Sequence, residues 1–161
     1  MFYITYLTLT FEMEIDKVIK QPKFNDGYHK AIVNLFYTSN FFRDVHNGVF
    51  AKYRIQGQHY NILRILKGKH PEPVSPGYIK EVMIDKGRDL TRLIDKLAKM
   101  GWVNREICPD NKRKMNITIT NKGMVQVDDI SLALDRQDKT LRNMSNEEYL
   151  MLSSFLDKMR G

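Results

Sequence analysis

The sequence predicts a mainly helical, α+β fold in which one small β-hairpin sits among helices. Three observations lead there. Apolar residues recur at spacings of three and four over most of the chain, the period that puts them on one face of a helix. Between Gly101 and Ile119 the period drops to two. The two alternating runs are separated by Pro109-Asp110-Asn111-Lys112-Arg113, a segment of turn-forming and basic residues.

With 161 residues the chain has the length of one ordinary domain, and 42% hydrophobic against 28% charged residues is a globular composition. A single cysteine excludes an intramolecular disulfide and any multi-thiolate metal site, and it fits a reducing cytoplasm. No run approaches the roughly 20 apolar residues of a membrane span, so no membrane partner is expected. Residues 1–12 are rich in threonine and aromatics without a basic n-region, which argues against a secretory signal, and a second methionine follows at Met13. Residues 1–23 are read as an N-terminal extension with little order.

From Phe24 to Tyr53 the positions Tyr28, Ile32, Leu35, Ser39, Phe42, His46, Val49 and Tyr53 form a helical seam. Val33, Phe36, Tyr37, Phe41, Val45 and Phe50 lie off it, so apolar surface covers more than one face. Eight of the chain's 17 aromatic residues fall in this stretch, which suits an oligomer interface, a ligand-pocket wall or a central core helix. A second helix, Gln58 to Lys69, buries Ile62, Ile65 and Leu66 and is stopped by Gly68, Pro71 and Pro73. A third, short helix starts with Ser75 as N-cap and Pro76 at its first position, and buries Ile79, Val82 and Met83. After Asp85-Lys86-Gly87 a fourth helix buries Leu90, Leu93, Ile94, Leu97 and Met100 and stops at Gly101, a residue suited to the left-handed C-cap. Val103 and Ile107, then Met115, Ile117 and Ile119, mark the two strands. Two helices joined by a tight turn and followed by a basic hairpin make a winged helix-turn-helix. Val127, Ile130, Leu134, Gln137, Leu141 and Met144 continue as a helix with Asp128, Asp129, Asp135 and Asp138 off the stripe and solvated. Ser145 and Glu148 form a capping box for a last helix with apolar face Leu152, Phe155, Leu156 and Met159.

The formal net charge is +7, but its distribution is more telling than its size. Residues 86–114 hold nine basic and four acidic residues, whereas residues 115–161 hold six and seven. The outer side of the fourth helix presents Arg88, Arg92, Asp95 and Lys99, flanked by Thr91 and Lys96. In an isolated helix this is a solvated face with salt bridges, for example Arg92 with Asp95. With a turn before it and a hairpin after it, the face fits the major groove of DNA, where Arg and Thr reach base edges and Lys meets phosphate. At the hairpin tip Lys112, Arg113 and Lys114 are placed for the adjacent minor groove, and Asp110 either pairs with Arg113 or simply forms the turn.

Leu90-Thr91-Arg92-Leu93-Ile94-Asp95-Lys96-Leu97, Gly101-Trp102-Val103-x-Arg105, Asp110-x-x-Arg113 and Ile117-x-Ile119-Thr120-x-x-Gly123 together resemble the signature of the multiple-antibiotic-resistance regulators, the MarR family. The resemblance covers roughly residues 24–161. It implies a homodimer whose terminal helices interlock, with residues 24–55 and 121–161 as dimerisation helices. Residues 56–120 are then the DNA-binding region, with a recognition helix at about 88–100 and a wing at about 102–120. It further implies a repressor on a pseudo-palindromic operator in double-stranded DNA, released by a small molecule, an oxidant or a metal. In that scheme Arg88, Thr91 and Arg92 approach bases, Lys96, Lys99, Lys112 and Lys114 bind phosphates, and Arg113 enters the minor groove. A pocket walled by Phe36, Tyr37 and Phe41 would take an aromatic or amphipathic effector. His46 serves the core or the dimer interface, or else donates a hydrogen bond to the effector. The family's usual polar N-cap and glutamine at the start of the second helix are here Gln56 and His59, so contacts there are expected to differ.

Cys108 ends the first wing strand with no second cysteine to resolve it, and is read as structural, with oxidant sensing as the alternative. Among His29, His46, His59 and His70 no two lie three or four apart, so no metal or other cofactor is expected. There is no phosphate-cradling glycine loop, nucleophile elbow or paired-carboxylate motif, so an enzyme is not expected. The rival function is a winged helix that docks protein or binds DNA without sequence preference.

Overall fold

In the computed structural model, which describes residues 14–86, 89–108 and 111–161, apolar period three-four becomes helix and period two becomes hairpin. The chain divides into two compact units, Met1–Gly48 and Val49–Gly161. In the first, α1 (Ile15–Val18) buries Ile15, and Asp16 pairs with Lys30 at 3.5 Å. Most of α2 (Gly27–Lys52) belongs here, and its first turn is capped where the His29 N–H donates to Asp26 Oδ1 at 2.7 Å. Tyr28, Phe36, Tyr37 and Phe42 of α2 are exposed, and Phe41 meets Phe42 edge-on at 5.4 Å.

The second unit holds the last turn of α2 with α3 (Gly57–Lys69), α4 (Pro76–Val82), α5 (Leu90–Lys99), β1 (Val103–Cys108), β2 (Asn111–Ile119), α6 (Asn121–Lys139) and α7 (Asn146–Arg160). Its core is built from Ile62, Leu63 and Leu66 of α3, Ile79 of α4, Leu97 of α5, Ile117 of β2 and Val127 and Ile130 of α6, all fully buried. At about 1.5–3 kcal/mol for each large aliphatic side chain, this layer is what holds the helices on the hairpin. β1 and β2 pair antiparallel with Val103 opposite Ile119, Arg105 opposite Ile117 and Ile107 opposite Met115, and a bulge follows Ile107. Val74 adds a short bridge to Ile117, each N–H donating to the other's carbonyl at 2.9 Å.

The local punctuation explains the boundaries. Ser75 Oγ accepts from the Tyr78 N–H at 3.2 Å, with Pro76 opening α4. α5 ends in a Schellman motif: Gly101 has φ +71°, its N–H donates to Ala98 O, and the Trp102 N–H donates to Leu97 O. Thr120 caps α6 by accepting from the Gly123 N–H and donates its own hydroxyl to Gly101 O at 2.8 Å, tying the end of the wing to the end of α5. A Cβ on Gly123 would lie 2.1 Å from Trp102 O, so only glycine allows this approach. Ser145 and Glu148 form the expected reciprocal capping box of α7.

Three expectations are corrected. Val82 is 42% exposed rather than buried, because α4 ends there and the chain turns at Met83. β2 begins at Asn111 rather than Met115, since an antiparallel ladder extends through polar residues where the hairpin projects from the core. Asp135 and Asp138 are half-buried, not fully solvated; Asp135 is paired with Lys139 at 2.7 Å, which holds its carboxyl below the usual carboxylate range. α7 buries no side chain: Leu152, Phe155 and Met159 are exposed and Leu156 is half-buried. Among the described residues no helix is long and apolar enough to cross a membrane.

Candidate nucleic-acid interface

α5 is short, and its orientation comes from its apolar stripe: Leu93, Ile94 and Leu97 are buried while Leu90, Ala98 and Met100 are partly buried against the same core. The reverse side therefore faces water, with Thr91, Arg92, Lys96 and Lys99 all exposed. Asp89 caps the helix, its carboxylate accepting from the Thr91 N–H at 3.1 Å and the Arg92 N–H at 3.4 Å. The same carboxylate pairs with Arg92 Nε at 3.2 Å, although Arg92 remains 88% exposed. This pair is open to solvent, so its net worth is small and the guanidinium is free to exchange the carboxylate for another anion.

Asp95 behaves differently from its neighbours. It forms an ion pair with Arg105 of β1, and Arg105 Nε also points at Met115 Sδ at 3.3 Å. The Arg92–Asp95 pair considered for an isolated helix is thus replaced by two others, Arg92 with Asp89 and Asp95 with Arg105. The second joins α5 to the wing across both elements. Arg105 was not among the candidate site residues; strand alternation places it on the same face as Val103, where its exposed side chain reaches Asp95 of α5.

At the wing, Lys112, Arg113 and Lys114 fall within β2 beyond the Ile107–Met115 pair, so the backbone carries all three at the distal end of the hairpin. Their side chains lie outside the described part, as does that of Cys108 at the end of β1. Arg88 and Asp110 fall wholly outside the described residues.

α3 supports α5 from below. Gln56 and His59 form a capping box in which the His59 side chain accepts from the Gln56 N–H at 3.1 Å and the Gln56 side chain accepts from the His59 N–H. The substituted residues at the start of this helix therefore do the same capping work by a different pair of side chains. His59 is 3% exposed, and burial, with nearby Lys96 adding to it, pushes its pKa down to about 4. Among the aromatic residues read as an effector wall, Phe36 and Tyr37 are exposed, Phe41 is half-buried, and His46 is half-buried beside Phe42 with ring centroids 6.3 Å apart. Among the described residues no group of three or more His, Cys, Asp or Glu is placed to hold a metal ion.

Residues 58–115, from the first turn of α3 to the middle of β2, match the model of the MarR family. Over these residues the chain is similar to the MarR family. The MarR match spans the helix-turn-helix and most of the wing, the part that carries the cationic face and its brace. The HTH-type transcriptional regulator PecS of Dickeya dadantii (strain 3937) is 26% identical over 113 residues, covering 69% of this chain and 68% of that protein. A mutant of MarR from E. coli, crystallised in complex with operator DNA, has the same fold at TM-score 0.68 and 24% identity, covering 84% of this chain and 99% of that one. The S. aureus MepR–DNA complex has TM-score 0.71 at 19% identity, covering 85% and 97%.

Proposed function

We propose that this chain is a regulator of the MarR family, a homodimeric cytoplasmic repressor that binds a pseudo-palindromic operator in double-stranded DNA and releases it when a small aromatic or amphipathic effector binds. The observation that carries the reading is the exposed Thr91, Arg92, Lys96 and Lys99 face of α5, braced by Asp95–Arg105 to a hairpin bearing Lys112, Arg113 and Lys114. A helix of this width enters the major groove, where Thr91 and Arg92, with Arg88 before them, reach base edges while Lys96 and Lys99 neutralise phosphate. The three basic wing residues serve the adjacent backbone and minor groove, with Arg113 inserted. The MarR and MepR structures named above contain DNA, which supports the same use of the fold here.

The dimer is supported by surface that one chain leaves uncovered. α7 buries nothing, and its Leu150, Met151, Leu152 and Phe155 are exposed in a run that water would not tolerate on an isolated helix. A second copy would cover it and space two α5 helices for successive major grooves, about 34 Å apart. Phe36, Tyr37 and Phe41, with His46, supply apolar area and a hydrogen-bonding group suited to an aromatic effector. Effector binding would alter the spacing of the recognition helices, and a small pivot costs affinity at both half-sites at once.

The test is a gel shift of the purified protein on DNA from upstream of its own coding sequence, with random-sequence competitor at matched salt. Specific retardation by a dimer is expected. Retardation that random DNA competes away equally reassigns the chain to architectural binding, and none at low salt reassigns it to protein docking.

A further inference from the structure

Between the buried Met83 and the buried Leu93 the chain crosses from α4 to α5 without burying a side chain among its described residues. Ile84, the apolar residue at the start of this crossing, is 90% exposed, so hydrophobic burial does not fix its path. Two side chains of α3 reach it instead. Asn61 Oδ1 accepts from the Ile84 backbone N–H at 3.0 Å, and the Gln58 Nε2 amide donates to Asp85 Oδ2 at 2.7 Å. Gln58 and Asn61 are three residues apart and share one face of α3. α3 itself is held elsewhere: Ile62, Leu63 and Leu66 are fully buried, Tyr60 Oη lies 2.8 Å from Ser131 Oγ of α6, and Lys67 pairs with Asp128. The crossing is thus tied to a helix that the core and α6 immobilise.

We propose that Asn61 and Gln58 are positioning residues for sequence reading, which rests on the DNA-binding function proposed above. By holding Ile84 and Asp85 against α3 they fix where the chain leaves toward α5, and so add to the buried Leu93, Ile94 and Leu97 in setting the angle at which Thr91 and Arg92 meet base edges. Phosphate contacts tolerate small displacements because they are long-range and mutually interchangeable, whereas a base-edge hydrogen bond is lost within a fraction of an ångström and a few tens of degrees. Loosening the crossing therefore erodes discrimination between sequences and leaves non-specific affinity in place. The chemistry required of residue 61 is narrow: an acceptor for one backbone N–H, which carboxylate supplies as well as amide.

The test compares Asn61→Ala, Asn61→Asp and Gln58→Ala with wild type, each checked for its melting temperature. Binding is measured to a duplex selected from a random pool by the wild-type protein and to a random-sequence duplex of equal length. The expected result is a fall of about five- to tenfold in the ratio of specific to non-specific affinity for Asn61→Ala, about the worth of one hydrogen bond. Asn61→Asp restores the ratio, because its added charge repels both duplexes alike at matched salt. Gln58→Ala, which keeps the Ile84 tie, shows a smaller fall of the same kind and carries the test if Asn61→Ala does not fold. An unchanged ratio in the alanine variants, an Asp variant as poor as Ala, or equal losses on both duplexes overturns the proposal. Wild-type protein that selects no sequence from the pool overturns the DNA-reading function itself, and is told apart from the other failures because it precedes any variant.

Discussion

α5 and α7 are both amphipathic, both capped at their first turn by a polar side chain, and they end in opposite situations. α5 sinks Leu93, Ile94 and Leu97 into its own chain, so what it offers to the outside is polar and cationic. α7 is half as long again and sinks nothing, so what it offers is Leu150, Met151, Leu152, Phe155 and Met159. The same helical periodicity thus yields an exposed cationic surface in one case and an exposed apolar surface in the other. What separates them is whether the chain itself covers the stripe.

The sharpest way to break this contrast is to remove a buried member of the first stripe. Leu97→Ala should cost roughly 2–5 kcal/mol of unfolding free energy, independent of protein concentration, as read by chemical denaturation. Phe155→Asp puts a charge in the second stripe and is expected to raise the dimer dissociation constant by about a hundredfold in sedimentation equilibrium while leaving the circular dichroism of the core unchanged. A variant that stayed fully dimeric would remove α7 from the interface.

Acid titration probes the support of α5. His59 is held neutral by burial, with a pKa of about 4 against 6.5 in the unfolded chain. Between those values the unfolded chain binds the additional proton, so stability from this site is complete above about pH 6.5. It is lost as pH falls toward 4, by up to about 1.4 kcal/mol per pH unit. His59→Gln keeps an acceptor for the Gln56 N–H but cannot titrate, so the variant should lose less stability than wild type between melts at pH 7.5 and pH 5. Equal pH dependence in the two proteins would place the acid sensitivity elsewhere. The smallest effect is expected from Asp95→Asn, which weakens the tie to Arg105; a partly exposed pair contributes about 0.2–1 kcal/mol to stability.

Much of the fold was legible because its punctuation is local. Ser75-Pro76, Gly101 and Ser145-x-x-Glu148 each announce a helix end by residue type, and each is used as such. The exposed cationic side of α5 was legible for the same reason, since periodicity alone places Thr91, Arg92, Lys96 and Lys99 opposite Leu93 and Leu97. The ties between elements were not. Asp95–Arg105, Asn61–Ile84 and Gln58–Asp85 join residues 10, 23 and 27 positions apart, and no spacing rule within one element reports a contact made between two. The exposure of Val82 was hidden because periodicity marks a face and not where a seven-residue helix stops.

The salt dependence of DNA binding tests the cationic face of α5 most directly. Log affinity for the selected duplex should fall linearly with log salt, at about −0.9 per phosphate contact. The double variant Lys96→Ala/Lys99→Ala should flatten that slope by about 1.8 per chain while its unfolding free energy stays within about 0.5 kcal/mol of wild type. An identical slope in the two proteins would mean that this side of α5 does not face the nucleic acid.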